Sequence, residues 1–213
     1  MKVGIIGSGG REHAICQSIK NSAKVKEIYC FPGNAGTDEI ATNINLDLSN
    51  FENLKNFILK EKIDLVIIGP EKPLVDGLVD YLEEFDIAVF GPNKFASQLE
   101  GSKIFTKKLC QKFNIPTAKF GVFNDKTESK EFIKKSNFPI VIKADNLASG
   151  KGVYICESNI EAITAIDEIF DGKFGKAKNL LIEEFLDGEE MSFFVLSDGV
   201  TIKNFGTAQD HKR

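Results

Sequence analysis

The sequence predicts an α/β fold: a parallel, doubly wound sheet of Rossmann-like type, followed by a smaller α+β unit. Three observations carry that expectation. Over the first ninety residues short apolar, β-branched runs alternate with helical patterns. Glycine- and proline-rich turns stop the strands at residues 7–10, 32–36, 69–70 and 91–92. After Pro92 the order becomes helix, then strand, helix, strand, glycine loop, strand, helix, strand.

Val3–Ile6 reads as the first strand, and the turn Gly7-Ser8-Gly9-Gly10 leads into a helix over Arg11–Asn21 with Ala14, Ile15, Ser18 and Ile19 on one side. Glu27–Phe31 is a second strand, ending in the loop Pro32-Gly33-Asn34-Ala35-Gly36. Phe51–Lys60 places Phe51, Leu54, Phe57 and Ile58 at helical spacing. Asp64–Ile68 is a continuous apolar strand of the kind buried on both faces of a parallel sheet. Leu74–Phe85 reads as one helix and Ile87–Phe90 as a fourth strand. Ligands of such sheets sit at the carboxyl ends of the strands, here the loops 7–11, 32–36 and 69–73.

Phe95–Phe113 reads as one helix bearing Lys103, Lys107, Lys108 and Lys112, stopped by Ile115-Pro116. Further helices fall at Ser129–Ser136 and Ile160–Phe170, the second with isoleucines at 160, 163, 166 and 169. The clearest strands are Pro139–Lys143, Gly152–Cys156 and Leu180–Phe185. A hairpin pairs Ser192–Leu196 with Val200–Asn204, and no closing strand is expected beyond it. The implied divisions are 1–92, a helical connector 93–116, a unit 117–190, and the opening of a further unit at 191–213.

The 213 residues carry a formal charge of −4. That balance argues against a general nucleic-acid binder. The longest apolar run of the first half, Leu65–Ile68, is far short of a membrane span, and the chain enters a strand at once without a signal-peptide pattern. Cys16, Cys30, Cys110 and Cys156 show no CxxC spacing, which fits free thiols in a reducing cytoplasm. Arg11 and Arg213 are the only arginines among many lysines. An arginine in such a chain is a candidate for a planar, bidentate contact.

Gly7-Ser8-Gly9-Gly10-Arg11-Glu12 departs from a dinucleotide fingerprint in two places: Glu12 stands at the third glycine, and Phe31-Pro32 offers no acid for a ribose 2′-hydroxyl. A NAD site is therefore not expected. What remains is a helix N-terminus suited to an anion, with Arg11 as a fork for phosphate. The plainer alternative is a tight turn with a solvated arginine. Asp145–Gly152 is not a Walker A loop, because Gly152 follows Lys151 where Ser or Thr is needed. It can fold over a polyphosphate, or form an ordinary hairpin with surface lysines. Lys143 ends an apolar strand and needs an anionic partner or an edge. The turn after Leu180–Phe185 can present backbone to an adenine edge and a carboxylate to ribose, or be a solvated acidic turn. The lysines of 103–112 read as a solvated face, with one of them at a nucleotide as the alternative. His13 reads as packing, and no Ser–His–Asp or Cys–His pairing is visible.

In this order the motifs resemble a known family. The stretches are Gly7–Ala14, Pro32–Thr37, Gly69-Pro70-Glu71-Lys72-Pro73-Leu74, Gln98–Lys103, Ile142–Asp145, Gly150–Val153, Glu183–Glu190 and Gln209–Arg213. Together they are similar to the phosphoribosylamine–glycine ligases, ATP-grasp enzymes of purine biosynthesis. The resemblance implies a pre-ATP-grasp N-terminal domain, an α+β ATP-grasp lid and the start of the ATP-grasp core. It implies ATP-dependent ligation of glycine to 5-phosphoribosylamine through glycyl phosphate, giving glycinamide ribonucleotide, ADP and phosphate.

The resemblance also implies roles. Lys103 and Lys143 would act on the moving phosphates. ATP would be held by these two with Ser149, Gly150, Lys151, Gly152, Glu183, Phe185, Leu186 and Glu190. Phosphoribosylamine and glycine would meet Gly9, Gly10, Arg11, Glu12, Asn34, Gly36, Glu71, Pro73, Asp210, His211 and Lys212. Mg²⁺ or Mn²⁺ is implied, with its ligands expected beyond residue 213. Asn146 and Ser149 replace a usual Gly and Ala. The expected partners are these small molecules and a further C-terminal half, with no nucleic acid and no membrane. Alone, the chain is expected to be inactive and prone to self-association through Phe193 and Val195. The alternatives are a non-catalytic nucleotide- or phosphosugar-binding fragment and a carboxylase-type ATP-grasp ligase.

Overall fold

A computed structural model describes residues 1–145, 152–175 and 178–211. The first sheet holds β1 (Lys2–Gly7), β2 (Glu27–Pro32), β3 (Thr42–Asn43), β4 (Leu65–Ile68) and β5 (Val89–Phe90) in the order β3-β2-β1-β4-β5. All its pairings are parallel. The chain starts at the centre, winds outward through β2 and β3, then returns to the other side of β1. That order puts a topological switch point between β1 and β4, where the crevice of such sheets opens.

Burial on both faces explains the apolar strands. Val3, Ile5, Ile28 and Cys30 pack with Cys16 of α1 (Gly10–Ile19) on one face. Ile6, Phe31, Val66 and Ile68 pack on the other with Leu54 and Ile58 of α3 (Phe51–Glu61). The short α2 (Ala35–Asp38) lies between β2 and β3, so the loop expected at 32–36 is already helical at Ala35. The edge strand β3 was not expected: two residues are too few to show a period.

Other boundaries differ for local reasons. The buried side of α1 is Glu12 and Cys16, with Ile15 and Ile19 partly covered, while Ala14 and Ser18 face solvent. The single helix expected over Leu74–Phe85 is two, α4 (Glu71–Asp76) and α5 (Leu78–Glu83). Gly77 separates them at φ 99°, a left-handed conformation open to glycine at little cost. Phe95–Phe113 likewise divides into α6 (Gln98–Gly101) and α7 (Lys103–Lys112). Ser102 leaves the helical region, and its hydroxyl accepts the Phe105 N–H at 3.1 Å as the cap of α7.

The second sheet is antiparallel throughout, in the order β6-β9-β7-β8: β6 (Phe120–Phe123), β7 (Ile140–Ala144), β8 (Val153–Cys156) and β9 (Leu180–Glu184). Helices α8 (Lys126–Ile133) and α9 (Asn159–Phe170) cover one face, over Ile140, Ile142, Leu180 and Ile182. The isoleucine series of α9 does not form one stripe. Steps of three fall short of the 3.6-residue turn, so Ile160 ends up 79% exposed while Ile166 and Ile169 are buried with Ala162 and Ala165. Alternation along β7 leaves Val141 and Lys143 on the opposite face, towards α7.

β10 (Glu190–Ser197) and β11 (Ile202–Asp210) form an antiparallel ribbon with an irregularity at Phe194/Val195. The second strand runs six residues further than the expected Asn204. Phe193, Phe194, Val195 and Phe205 are exposed on it. Among the described residues no helix is long and apolar enough to cross a membrane.

The cysteines give a test of the packing. Cys16, Cys30 and Cys156 are buried, and the Cys16 and Cys30 sulfurs lie 3.3 Å apart. Burial, then the Cys16 contact, pushes the Cys30 thiol up to about 12, and burial pushes Cys156 up to about 11. The thiolate is the reactive form. At pH 8 Ellman's reagent should label Cys110 alone on the fast timescale, and all four cysteines only in denaturant. Fast labelling of a second thiol in the folded chain would contradict this packing.

Candidate functional site

Two loci gather the residues singled out in the sequence. The first lies at the carboxyl ends of β1, β2 and β4. Helix α1 starts at Gly10 with Gly9 as its cap residue, and Glu12 turns back so that Oε2 accepts the Gly9 N–H at 2.6 Å. Glu12 is 3% exposed. A Cβ on Gly7, Gly9 or Gly69 would stand 2.7, 2.8 or 2.0 Å from its side chain. The close approach of helix and strand is thus built around an inward-turned carboxylate, not around a third glycine. Oε1 of Glu12 is buried with no hydrogen-bond partner among the described residues.

Asn34 joins the two loops. Its Nδ2 donates to Ser8 O at 2.9 Å and Gly9 O at 3.3 Å, while its Oδ1 accepts the Gly36 and Thr37 N–H groups. His13 packs against Gly36, where a Cβ would stand 2.6 Å from the ring. The Arg11 guanidinium donates to Glu71 Oε1 at 2.9 Å in an exposed pair. Nothing lies within 4 Å of a Cβ placed on Gly10, so the helix start is open. Pro73 is buried within α4. Gly9, Gly10, Arg11, Glu12, Asn34, Gly36 and Glu71 therefore share one loop cluster, with Glu12 holding the loop from inside.

The second locus lies between α7 and the open face of the second sheet. Asp145, at the end of β7, accepts the Ile104 N–H at 3.1 Å and the Ser102 hydroxyl at 3.2 Å, so it also serves the start of α7. Lys103 Nζ donates to Ala144 O at 3.0 Å. Burial, opposed by Asp145 and reinforced by Lys143, lowers its pKa. One turn further along α7, Lys107 reaches Glu183 Oε1 at 2.8 Å, and Lys143 reaches Glu183 Oε2 at 2.6 Å. Glu183 is 4% exposed. Lys143 thus has the anionic partner its position demanded. From the sequence, Glu183 is named only among the residues that would hold ATP, and Lys107 is not singled out. The available signal was the i, i+4 spacing from Lys103.

Gly152 accepts the Ala144 N–H through its carbonyl at 2.9 Å, closing the strands on either side of residues 146–151. Ser149, Gly150, Lys151 and Lys212 lie outside the described residues. Glu184 Oε1 accepts the Lys119 N–H at 2.9 Å. Phe185 and Leu186 are exposed after β9. Glu190 and Asp210 face each other across the β10–β11 ribbon, with His211 exposed beyond. Among the described residues no group of three or more His, Cys, Asp or Glu is placed to hold a metal ion.

The inward carboxylate predicts a coupled pair. Gly69→Ala should destabilise the chain by about 1–3 kcal/mol, because the new methyl must displace a pinned, buried carboxylate. Glu12→Ala added to it should cost at least about 1 kcal/mol less than the two single effects summed. Urea denaturation of the cycle checks this, and strict additivity would contradict the packing described.

The chain has relatives in both sequence and fold. It is 50% identical over its whole length to a phosphoribosylamine–glycine ligase of Mesorhizobium japonicum, covering 50% of that protein. A relative of the same description from Caldanaerobacter subterraneus is 44% identical and is covered to 52%. The chain thus spans about half the length of these relatives. Among solved structures, phosphoribosylamine–glycine ligase from Thermotoga maritima superposes over 96% of the chain and 49% of its own, with TM-score 0.78 and 35% identity. An ADP complex of an N5-carboxyaminoimidazole ribonucleotide synthetase, 20% identical with TM-score 0.76 over the whole chain and 54% of its own, shares the fold. Residues 1–100 match the phosphoribosylglycinamide synthetase N domain and residues 101–213 its ATP-grasp (A) domain, and the chain belongs to that family.

Proposed function

We propose that the chain is part of an ATP-dependent carbon–nitrogen ligase that joins glycine to 5-phosphoribosylamine. The observation that carries this reading is the presence, in one chain of this family, of two separate anion-ready loci. One is the open helix start at Gly10 with Arg11 beside it; the other is the Lys103–Lys143 face. In this reading residues 1–92 bind phosphoribosylamine, 93–116 connect, 117–190 form the lid, and 191–213 begin the core. The compartment that fits is the cytoplasm.

The chemistry follows from the reactants. A carboxylate is a poor electrophile, and phosphorylation by ATP gives glycine a leaving group. The amine of phosphoribosylamine then attacks the acyl carbon, the C–O bond to phosphate breaks, and glycinamide ribonucleotide, ADP and phosphate result. Lys143 and Lys103 offset the charge on the phosphates as the γ-phosphoryl moves. The Glu183 and Leu186 backbones meet adenine, with Phe185 beside them, and Glu190 meets the ribose. Mg²⁺, when bound, would offset the charge that builds on the phosphates. Arg11 holds the ribose phosphate, and Asn34 keeps the two loops beneath it in register. Asp210, His211 and Lys212 complete the glycine side.

Titration calorimetry with glycinamide ribonucleotide tests the first locus. Arg11→Ala should weaken binding by about 1.5–3 kcal/mol, and Arg11→Lys should recover only part, because the fork is lost. Unchanged affinity in Arg11→Ala would remove the phosphosugar assignment. NADH should give no saturable fluorescence change, since Glu12 stands at the third glycine and Phe31-Pro32 offers no acid for a ribose 2′-hydroxyl. Micromolar NADH binding would reinstate the dinucleotide reading.

A further inference from the structure

Glu183 is one buried carboxylate shared by two ammonium groups, and only one of the two has a place in the reading above. Lys143 leaves the end of β7 on the open face of the sheet. Lys107 comes from α7, on the far side of the same carboxylate. The Lys107 ammonium also donates to Thr117 Oγ1 at 2.6 Å and Ala118 O at 3.4 Å, and lies 5.7 Å from the centre of the Phe120 ring. Its ammonium is thus ringed by protein oxygens, two of them hydrogen-bonded to it and the Glu183 oxygen paired with it by charge, and its side chain is 13% exposed against 28% for Lys143. Lys107 is built in, whereas Lys143 is the more exposed of the two.

Charge counting gives this arrangement a consequence. Lys143 and Glu183 alone would sum to zero, and a neutral pair attracts a polyphosphate poorly. With Lys107 on the second oxygen the cluster carries one positive charge. In a partly buried site that difference acts at low effective dielectric and is weakly screened by salt. We propose that Lys107 is a positioning residue: by engaging Oε1 of Glu183 it leaves a net positive charge at Lys143 for the phosphates of a nucleoside di- or triphosphate. It touches no phosphate itself. The inference rests on the nucleotide reading of this locus and adds the residue that sets its charge.

The test measures ADP and adenosine binding to the chain at fixed ionic strength, in the wild type, Lys107→Met, Lys107→Arg and Lys107→Met/Glu183→Gln. The wild type should bind ADP more tightly than adenosine. Lys107→Met should weaken ADP about tenfold and adenosine less than about twofold, because only the phosphates sense the charge. The double variant removes one positive and one negative charge. It should bring ADP affinity back to within about threefold of wild type. A residue serving only as a strut gives the opposite: a double variant as weak as the single one, or weaker. That result, or unchanged ADP affinity in Lys107→Met, overturns the inference and leaves the nucleotide reading standing. A wild type that binds ADP no better than adenosine removes the nucleotide reading, and the inference with it. Where Lys107→Met does not fold, Lys107→Arg and the double variant carry the test. Both should hold ADP within about threefold of wild type, and a tenfold loss in either overturns the inference.

Discussion

Burying a charged carboxylate carries a desolvation penalty of several kcal/mol unless cations flank it. Glu183 shows what that constraint does to the second half of the chain. Its two lysines come from different elements, so one carboxylate fixes the distance between α7 and the sheet and the direction in which Lys143 leaves β7. Asp145 repeats the arrangement at the other end of the interface, taking the Ile104 N–H and the Ser102 hydroxyl at the start of α7. The helix is thus held at its start by Asp145 and at its middle by Glu183. Neither anchor can be loosened without moving a lysine proposed to meet phosphate, because Lys103 sits beside the first and Lys143 on the second.

The first half solves a similar problem with glycine. Glu12 enters the interior through a gap that exists because Gly7, Gly9 and Gly69 have no side chains. By accepting the Gly9 N–H it satisfies one of the donors a helix start leaves unpaired. Asn34 closes the loop from the other side with four contacts. The outer surface of the loop is then free of its own side chains at Gly10, while the inner surface is fully packed. That asymmetry suits a backbone meant to meet an anion, and it separates Glu12, which builds the loop, from Arg11, which faces solvent.

Much of this was legible in the chain, and the failures have physical causes. The continuous apolar runs Val3–Ile6 and Leu65–Ile68 announced a sheet covered on both faces, and the turns after them marked the loops that hold Arg11, Asn34 and Glu71. Period alone misplaced helix breaks, because Gly77 and Ser102 act through one residue's backbone and leave the apolar pattern almost intact. Spacing by three misled at Ile160, since the error per step accumulates along a helix. The ion triad was hidden for a different reason. Lys107, Lys143 and Glu183 are far apart in sequence, and strand pairing brings the last two together: Lys143 faces Leu181 in the antiparallel register, and Glu183 lies one pleat on, on the same face. A register of that kind is not written in local composition.

The charge of the whole chain points away from its ligands, and the local geometry reverses it. A net −4 would repel ADP or a ribose phosphate at long range. At physiological ionic strength, however, exposed charges are screened over about 8 Å, so a ligand at a cleft feels what lies within a few ångströms. At the second locus that near shell is Lys103, Lys107 and Lys143 against Glu183 and Asp145. The acids there are spent on protein partners: Asp145 on the start of α7, and Glu183 on two ammonium groups at once. The charge left over in that cluster is cationic. An acidic protein can therefore hold a basic cluster without a basic surface, provided each acid within the cluster is bound to a protein partner. Loss of one such bond, not loss of overall charge, is what would change the cluster's sign.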